Sequence, residues 1–280
     1  MRTSQIVTMF KDRFKMKTGY FDSYMQNTLP MVQKEDFVDD FKRGSGHELF
    51  PKRGKPKFCS IVSSSALAVN AFAPWKRHPE LLSLDLDGHL ISGFHKPSFE
   101  RKVPNGLKGT PPHLDVWLEN PDNIVAIESK FTEFFSRKKG SFSDQYRIYI
   151  QENAVEFSNS PWKDFVESDF LISSFHHLDV AQLVKHYFGL KHYIKAYDTN
   201  KAITLLYLYW HPTDLGMQKE IVFLKHAGEL ERFSKYVKAD PQVKFRYSNY
   251  SSIYDHWVRY SNDKEVRSHL EAFKQRYLFL

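Results

Sequence analysis

The chain has one cysteine, Cys59, among its 280 residues, and it has no long apolar run. A single thiol cannot form an internal disulfide and leaves too few thiols for a cysteine zinc site, so we expect a small buried side chain. No segment approaches the ~20 apolar residues of a membrane helix, and the N-terminal MRTSQIVTMFKDRFKMK is too charged for a signal peptide. The sequence therefore predicts a cytoplasmic protein with no membrane partner.

Several catalytic motifs are also missing. There is no GxxxxGK[ST] loop and no GxGxxG fingerprint, so we do not expect nucleotide-driven activity. The serines at 63–65 lack a GxSxG elbow, and we expect them to cap a helix. His176 and His177 would point about 100° apart on a helix and have no third ligand at a telling spacing, which favours a cap or surface role over a metal pair.

Positive charge and aromatic residues are abundant. The formal net charge is +7 and the pI is near 9.2, which suits a negatively charged partner such as nucleic acid. Aromatics make up 16% of the chain, enough for a packed core. We predict phosphate contacts, as opposed to a merely solvated surface, from two basic segments: Lys52, Arg53, Lys55 and Lys57, and then Arg137, Lys138 and Lys139.

Periodicity and turn residues predict an α/β chain. The first ~40 residues indicate one or two helices that end near 43–46, and the run 66–72 indicates a buried helix stopped by Pro74. A short hairpin should turn at Asp87-Gly88. Further on, the pattern predicts helical structure from Trp162 to Tyr197 with Asp179 as a cap, and a buried strand from Ile203 to Trp210. It then predicts a helix from Met217 to Lys238, a strand at 243–250 and a terminal helix from Tyr254 that reaches Leu280.

The most informative stretch is HLDVWLEN, PDN and IVAIESKF, which predicts two antiparallel strands joined by a tight turn. A turn centred between Pro121 and Asp122 places Asp115 opposite Glu128. Side chains alternate between the faces of a strand, so Asp115 and Trp117 share a face with Glu128 and Lys130. The apolar residues of the same strands face the other way: Leu114, Val116, Val125 and Ile127. A slip of one residue would stagger the two carboxylates.

Two carboxylates and a lysine at one place suit phosphodiester hydrolysis. The carboxylates repel each other unless a cation lies between them, and oxygen ligands favour Mg²⁺ or Mn²⁺. The lysine can orient or help deprotonate water and stabilise charge on phosphorus. The alternative is a surface salt-bridge cluster worth only ~0.2 to 1 kcal/mol. The apolar start of IVAIESKF favours a central strand whose charged end opens into a cleft.

Asp115 followed by Glu128-Ser129-Lys130 resembles the D…(E)xK signature of the PD-(D/E)XK, or restriction-endonuclease-like, nuclease superfamily. Leu114 stands where the signature has proline, although Pro111 and Pro112 lie just upstream. Upstream, GHELFPKRGKPKFCSIVSSSALAVNAFAPW resembles the N-terminal part of a restriction-endonuclease-like family in which an acidic helix residue precedes an SSxALxxNxF segment. Downstream, Gln182 resembles the glutamine on the helix after the catalytic strands, with Lys185 and His186 within a turn of it. The resemblance covers residues 45 to 210.

The resemblance implies an αβββαβ core with a mixed central sheet of four or five strands. It implies that Asp115, Glu128 and the carbonyl of Ser129 hold Mg²⁺ or Mn²⁺, that Glu48 helps to bind the metal directly or through water, and that Lys130 positions water while Gln182 assists. Glu48 could instead be an exposed glutamate at a helix start, and Gln182 a solvent-facing helix residue.

We therefore expect a single nuclease-like domain over 1–280, with a core at about 45–210, a helical extension at 1–44 and a helical elaboration at 211–280. The predicted function is metal-dependent cleavage of nucleic acid, with a DNA endonuclease expected; a dimer would help double-strand cutting. One alternative is a noncatalytic nucleic-acid-binding protein that retains the nuclease fold. A glycosidase with paired carboxylates, disfavoured by the lysine and the basic charge, and a plain interaction protein also stay open.

Overall fold

The computed structural model describes residues 2–138, 140–213, 217 and 220–278. Its strands form a two-stranded hairpin, β1 (Ser83–Leu86) and β2 (His89–Ser92), and a five-stranded sheet of order β3-β4-β5-β6-β7. The sheet strands are β3 (Ser98–Lys102), β4 (His113–Glu119), β5 (Asn123–Lys130), β6 (Ala202–Tyr209) and β7 (Val243–Asn249). Pairing is antiparallel from β3 to β5 and parallel from β5 to β7, so the predicted mixed sheet flanked by helices is confirmed.

Helices surround the sheet. In the described parts of the chain they are α1 (Thr3–Arg13), α2 (Val38–Arg43), α3 (Ser64–Phe72), α4 (Asp144–Glu152), α5 (Ala154–Phe157), α6 (Asp164–Glu167), α7 (Asp169–Ser173), α8 (Val180–Tyr197), α9 (Ile221–Val237), α10 (Tyr250–Tyr260) and α11 (Lys264–Tyr277). The order α3, β3, β4, β5, α8, β6 matches the predicted core, with α4 to α7 inserted before α8. None of the described helices is long and apolar enough to cross a membrane.

The β4–β5 hairpin has the predicted register. Val116 pairs with Ile127 and Glu119 with Ile124, so the same register places Asp115 opposite Glu128 just beyond the last pair. The turn is held by Asn120, whose Oδ1 accepts the backbone N–H of Asp122 at 3.0 Å and that of Asn123 at 2.6 Å. This side-chain bond closes the turn locally, which is why the register could be predicted from the sequence.

Two helices lie on opposite faces of the sheet. On one face, the Ser129 hydroxyl donates to the backbone oxygen of Ser64 at the start of α3 at 3.3 Å. On the other, Trp117 packs against Tyr193 of α8 with ring centroids 5.1 Å apart. Both helices begin at capped ends: Ser63 accepts the Ala66 N–H, and Asp179 accepts the Gln182 N–H, as predicted.

Some predicted elements have different bounds. The terminal helix is two helices, because the Ser261 N–H closes α10 and Asp263 caps α11 by accepting the Val266 N–H at 2.9 Å. The helix expected from 217 begins at Ile221, and residues 218–219 lie outside the described chain. The hairpin turn at Asp87 and Gly88 is present, with φ of 57° and 80°.

Two buried side chains have ordinary structural roles. Cys59 is 1% exposed, as expected. The Asn70 side chain accepts the Leu29 N–H at 2.7 Å and donates to the Asn27 carbonyl at 2.9 Å. Asn70 thus ties the N-terminal segment to α3.

Candidate active site

The end of β5 brings charged side chains together inside the protein. Glu128 is 2% exposed and Lys130 is 8% exposed. The Lys130 ammonium donates to Oε1 of Glu128 and to Oε1 of Gln182, the latter at 2.9 Å. Of the predicted site residues, Glu128, Lys130 and Gln182 therefore lie in contact, and the half-buried Gln182 directs its side-chain oxygen to Lys130.

Asp115 is the second carboxylate at this end of the sheet. Its Oδ2 accepts the backbone N–H of Ser129 at 2.7 Å, which fixes the carboxylate beside β5. Burial raises its pKa well above the ordinary value, and the negative charges of Glu128 and Glu100 raise it further, against the opposing effects of Lys130 and the Ser129 N–H.

Glu128 and Lys130 each stabilise the charged form of the other. Burial raises the pKa of Glu128, but the positive charges of Lys130 and His186 outweigh it and bring the pKa to about 2. Burial lowers the pKa of Lys130, yet the carboxylates of Glu128, Glu133 and Asp115 hold it above its ordinary value. The site thus contains a firmly ionised carboxylate and lysine, and one carboxylate without its own cation.

A third acid, Glu100, lies next to Asp115 and was not predicted from the sequence. The β3–β4 register pairs Phe99 with Val116 and Arg101 with Leu114, which places Glu100 at the position opposite Asp115. Its φ is 49°, an unusual conformation for a non-glycine residue, and such strain is often found at functional sites. The sequence gives little indication that Glu100 belongs to the site, because only the pairing of β3 with β4 distinguishes it from the other glutamates of the chain.

Glu48 does not lie on a helix, in contrast to the family pattern and to the alternative of a helix start. It lies in a turn in which the Leu49 and Phe50 N–H groups both bond to the Gly46 carbonyl, and no further helical turn follows. Oε1 of Glu48 is 3.4 Å from the Lys57 ammonium, and Oε2 accepts the Ser65 hydroxyl at 3.4 Å.

Glu48 is partly buried beside a cavity with a polar lining. Burial raises its pKa, which Lys57 partly offsets and the charge of Glu100 reinforces. Its side chain lines a cavity of about 350 Å³ at the start of α3, whose walls are formed by Tyr20, Glu48, Lys57, Ser60, Val62, Ser63, Ser64, Ser65 and Glu133.

The acids do not form a large ligand cluster. Within residues 2–138, 140–213, 217 and 220–278, no group of three or more His, Cys, Asp or Glu side chains is arranged to hold a metal ion, so Glu48 does not join Asp115 and Glu128 as a third ligand. The donors at the end of β5 are two carboxylates and the Ser129 carbonyl. Mg²⁺ is commonly held by one or two carboxylates and keeps several waters, so these donors suit it.

The two predicted basic segments are largely exposed. In the first, Lys57 is 82% exposed beside Glu48, and its neighbours Lys52, Arg53 and Lys55 are exposed. In the second, Arg137 is exposed and Lys138 lies 4.0 Å from Asp179, the residue that caps α8. Lys139 lies outside the described residues.

The paired histidines have a structural environment. The backbone N–H groups of His176 and His177 each donate to the Glu229 carboxylate at 2.8 Å. Nδ1 of His177 is 2.8 Å from the Phe134 carbonyl oxygen. These contacts join the segment before α8 to α9, in keeping with the expected structural role.

Comparison with known protein families gives one match. The model of the family described as Restriction Endonuclease associating with ARP matches residues 9–278, which include the sheet, both flanking helices and the C-terminal helices. Neither the curated proteins nor the solved structures contain a match to the chain.

Proposed function

We propose that this chain, which belongs to the family of restriction endonucleases associating with ARP, is a metal-dependent nuclease that hydrolyses phosphodiester bonds in DNA. The observation that carries the proposal is the meeting of Asp115, Glu128 and Lys130 at one end of the central strand β5, beside the helix that supplies Gln182. Glu128 and Lys130 are buried between the sheet and α8, which argues against a surface salt-bridge cluster.

The donor set fits a divalent cation. Oε2 of Glu128 is buried without an aligned hydrogen bond, so part of this carboxylate's bonding capacity is unused. The raised pKa of Asp115 reflects burial first and then repulsion by Glu128 and Glu100, and a bound cation would offset both effects. Asp115, Glu128 and the Ser129 carbonyl would hold Mg²⁺ or Mn²⁺, with Glu48 contributing through water. When bound, the cation supplies an activated water and stabilises charge on the phosphoryl oxygens.

The protein's own side chains would orient the reaction. Lys130 stays protonated because carboxylates surround it, so it acts as a donor that orients water and stabilises the negative charge developing on phosphorus. Gln182 accepts from the same ammonium at 2.9 Å and fixes its position. Asp115 is held by the Ser129 N–H.

The basic segments would bind the DNA backbone. Lys57 lies on the α3 side of the site and Lys138 on the α8 side, so a strand that crosses the end of β5 would meet positive charge in both directions. Contacts of this kind fix the position of nucleic acid without reading its sequence.

The test is cleavage of supercoiled plasmid, linear duplex and single-stranded DNA with Mg²⁺, Mn²⁺ or EDTA. Wild type is compared with Asp115→Asn, Lys130→Ala and a control, Asp39→Asn, whose exposed carboxylate pairs with Lys42 on α2. We expect metal-dependent nicking by wild type and the control, and none by the two site variants. Equal cleavage by Asp115→Asn would end the proposal.

A second candidate is a noncatalytic DNA-binding protein with the nuclease fold. It is favoured by the contacts of both Glu128 oxygens, Oε1 with the Lys130 ammonium and Oε2 with the His186 ring, which hold this carboxylate in place without metal. Salt-sensitive DNA binding without divalent-dependent cleavage on any of the substrates would identify it.

A further inference from the structure

We propose that His186 is a positioning residue that holds the Glu128 carboxylate in the orientation required for metal binding. The inference rests on the proposed function and adds a second residue of α8 to the site. Nε2 of His186 lies 2.8 Å from Oε2 of Glu128, on the opposite side of the carboxylate from Lys130.

Helix α8 presents two polar side chains to β5 at a spacing of one turn. Gln182 contacts Lys130 and His186 contacts Glu128, so residues four apart on one helix face engage the two charged residues that alternate along one strand face. The helix therefore acts as one rigid support for both members of the pair.

His186 is buried, so contact with solvent does not account for a polar ring at this position. It is 1% exposed, and its Nδ1 has no hydrogen-bond partner among the residues that the structure describes. Its Nε2 is within ion-pair distance of Glu128, although the two atoms are not aligned as an ordinary hydrogen bond. A polar ring in this place is an unfavourable choice for packing alone.

The buried His269 shows what a purely structural histidine looks like in this protein. It is 3% exposed, and its Nε2 lies 2.7 Å from the Asn70 carbonyl oxygen, while its Nδ1 also has no hydrogen-bond partner in the described part of the chain. The difference lies in the partner, which is a backbone carbonyl for His269 and the candidate metal-binding carboxylate for His186. His269 is therefore a matched control for the loss of a buried imidazole.

Contacts on both oxygens restrict the carboxylate more than one contact can. With Lys130 alone, Glu128 could rotate about its last bond around the lysine contact, whereas a second contact on Oε2 fixes the plane of the group. Residues that orient a metal-binding carboxylate typically contribute roughly 10- to 100-fold to metal affinity. We therefore expect the effect of His186 to appear in metal affinity more than in folding.

The test measures Mn²⁺ binding by isothermal titration calorimetry to the full chain at fixed pH. His186→Leu removes the N–H at similar volume, and His186→Gln keeps a donor that can reach Glu128. We expect His186→Leu to weaken Mn²⁺ binding by roughly 10- to 100-fold, and His186→Gln and the control His269→Leu to retain the wild-type affinity. The Mn²⁺ concentration for half-maximal cleavage should rise in parallel.

The outcomes separate this inference from the proposed function. Unchanged Mn²⁺ affinity in a folded His186→Leu protein overturns the role of His186 and leaves the nuclease proposal in place. Failure of wild type to bind Mn²⁺ overturns both. If His186→Leu does not fold, His186→Asn replaces it, because asparagine is polar but too short to reach Glu128; affinity equal to that of His186→Gln then overturns the inference.

Discussion

Replacing Asp115 with asparagine should stabilise the metal-free protein while it abolishes cleavage. Asp115 is half-buried, and its carboxylate is desolvated by its surroundings and repelled by Glu128 and Glu100, so its ionisation at neutral pH opposes folding. Asparagine retains an oxygen that can accept the Ser129 N–H, which Asp115 accepts at 2.7 Å. The substitution thus removes the charge and keeps the hydrogen bond, and function and stability should change in opposite directions.

The size of the effect follows from the direction of the pKa shift. Each unit by which the folded pKa exceeds the unfolded value costs about 1.4 kcal/mol at a pH above both values. The pKa of Asp115 is raised well above its ordinary value, so we expect a gain at pH 8 that exceeds the roughly 0.5 kcal/mol of an ordinary surface substitution. A raised carboxyl pKa stabilises the folded state at low pH and is a penalty at high pH. The gain should therefore shrink as the pH falls through the folded pKa.

Urea unfolding in EDTA at pH 8 and at lower pH measures this difference directly. Asp39→Asn is the control, because its exposed carboxylate should change stability by no more than about 0.5 kcal/mol. Addition of Mg²⁺ should stabilise wild type by mass action and should leave Asp115→Asn unchanged. If Asp115→Asn is less stable than wild type at pH 8 in EDTA, the reasoning about repulsion at this site is refuted.

Four other substitutions have defined outcomes. Lys130→Met leaves the buried Glu128 carboxylate without its lysine and should cost about 3 to 5 kcal/mol in urea unfolding; a loss below about 1 kcal/mol would contradict a strong buried pair. Gly189→Ala would place a Cβ 2.8 Å from the backbone oxygen of Val103, just after β3, and should lower the free energy of unfolding by about 1 to 3 kcal/mol. Gly228→Ala would add a Cβ in open space and should stabilise α9 by up to about 1 kcal/mol, measured by thermal unfolding. Lys57→Ala should weaken DNA binding and reduce the slope of log affinity against log salt by about 1; an unchanged slope would remove this lysine from the interface.

Local chemistry made much of the fold and part of the site predictable from the sequence. Alternation identified the two strands, and the Asn120 turn fixed their register, so the approach of Asp115 to Glu128 could be predicted. Helix starts were equally local, because Asp179 bonds to an N–H only three residues away. Gln182 was expected at the site through a family resemblance; it contacts Lys130, and its role in the reaction stays a prediction.

Other features depend on how distant segments pack. Glu100 belongs beside Asp115 only because β3 pairs with β4 in one register, and sequence spacing between two strands joined by a long loop does not specify that pairing. Glu48 was expected on a helix, but a single closed turn places it with Lys57 and Ser65.

The sequence by itself determined which residues share a face of the β4–β5 hairpin, because strand alternation and a side-chain-closed turn act over a few neighbouring residues. Only the tertiary structure decided what covers that face. The position of α8 over the sheet sets His186 against Glu128, and helix-on-sheet packing depends on side-chain contacts between segments far apart in the chain.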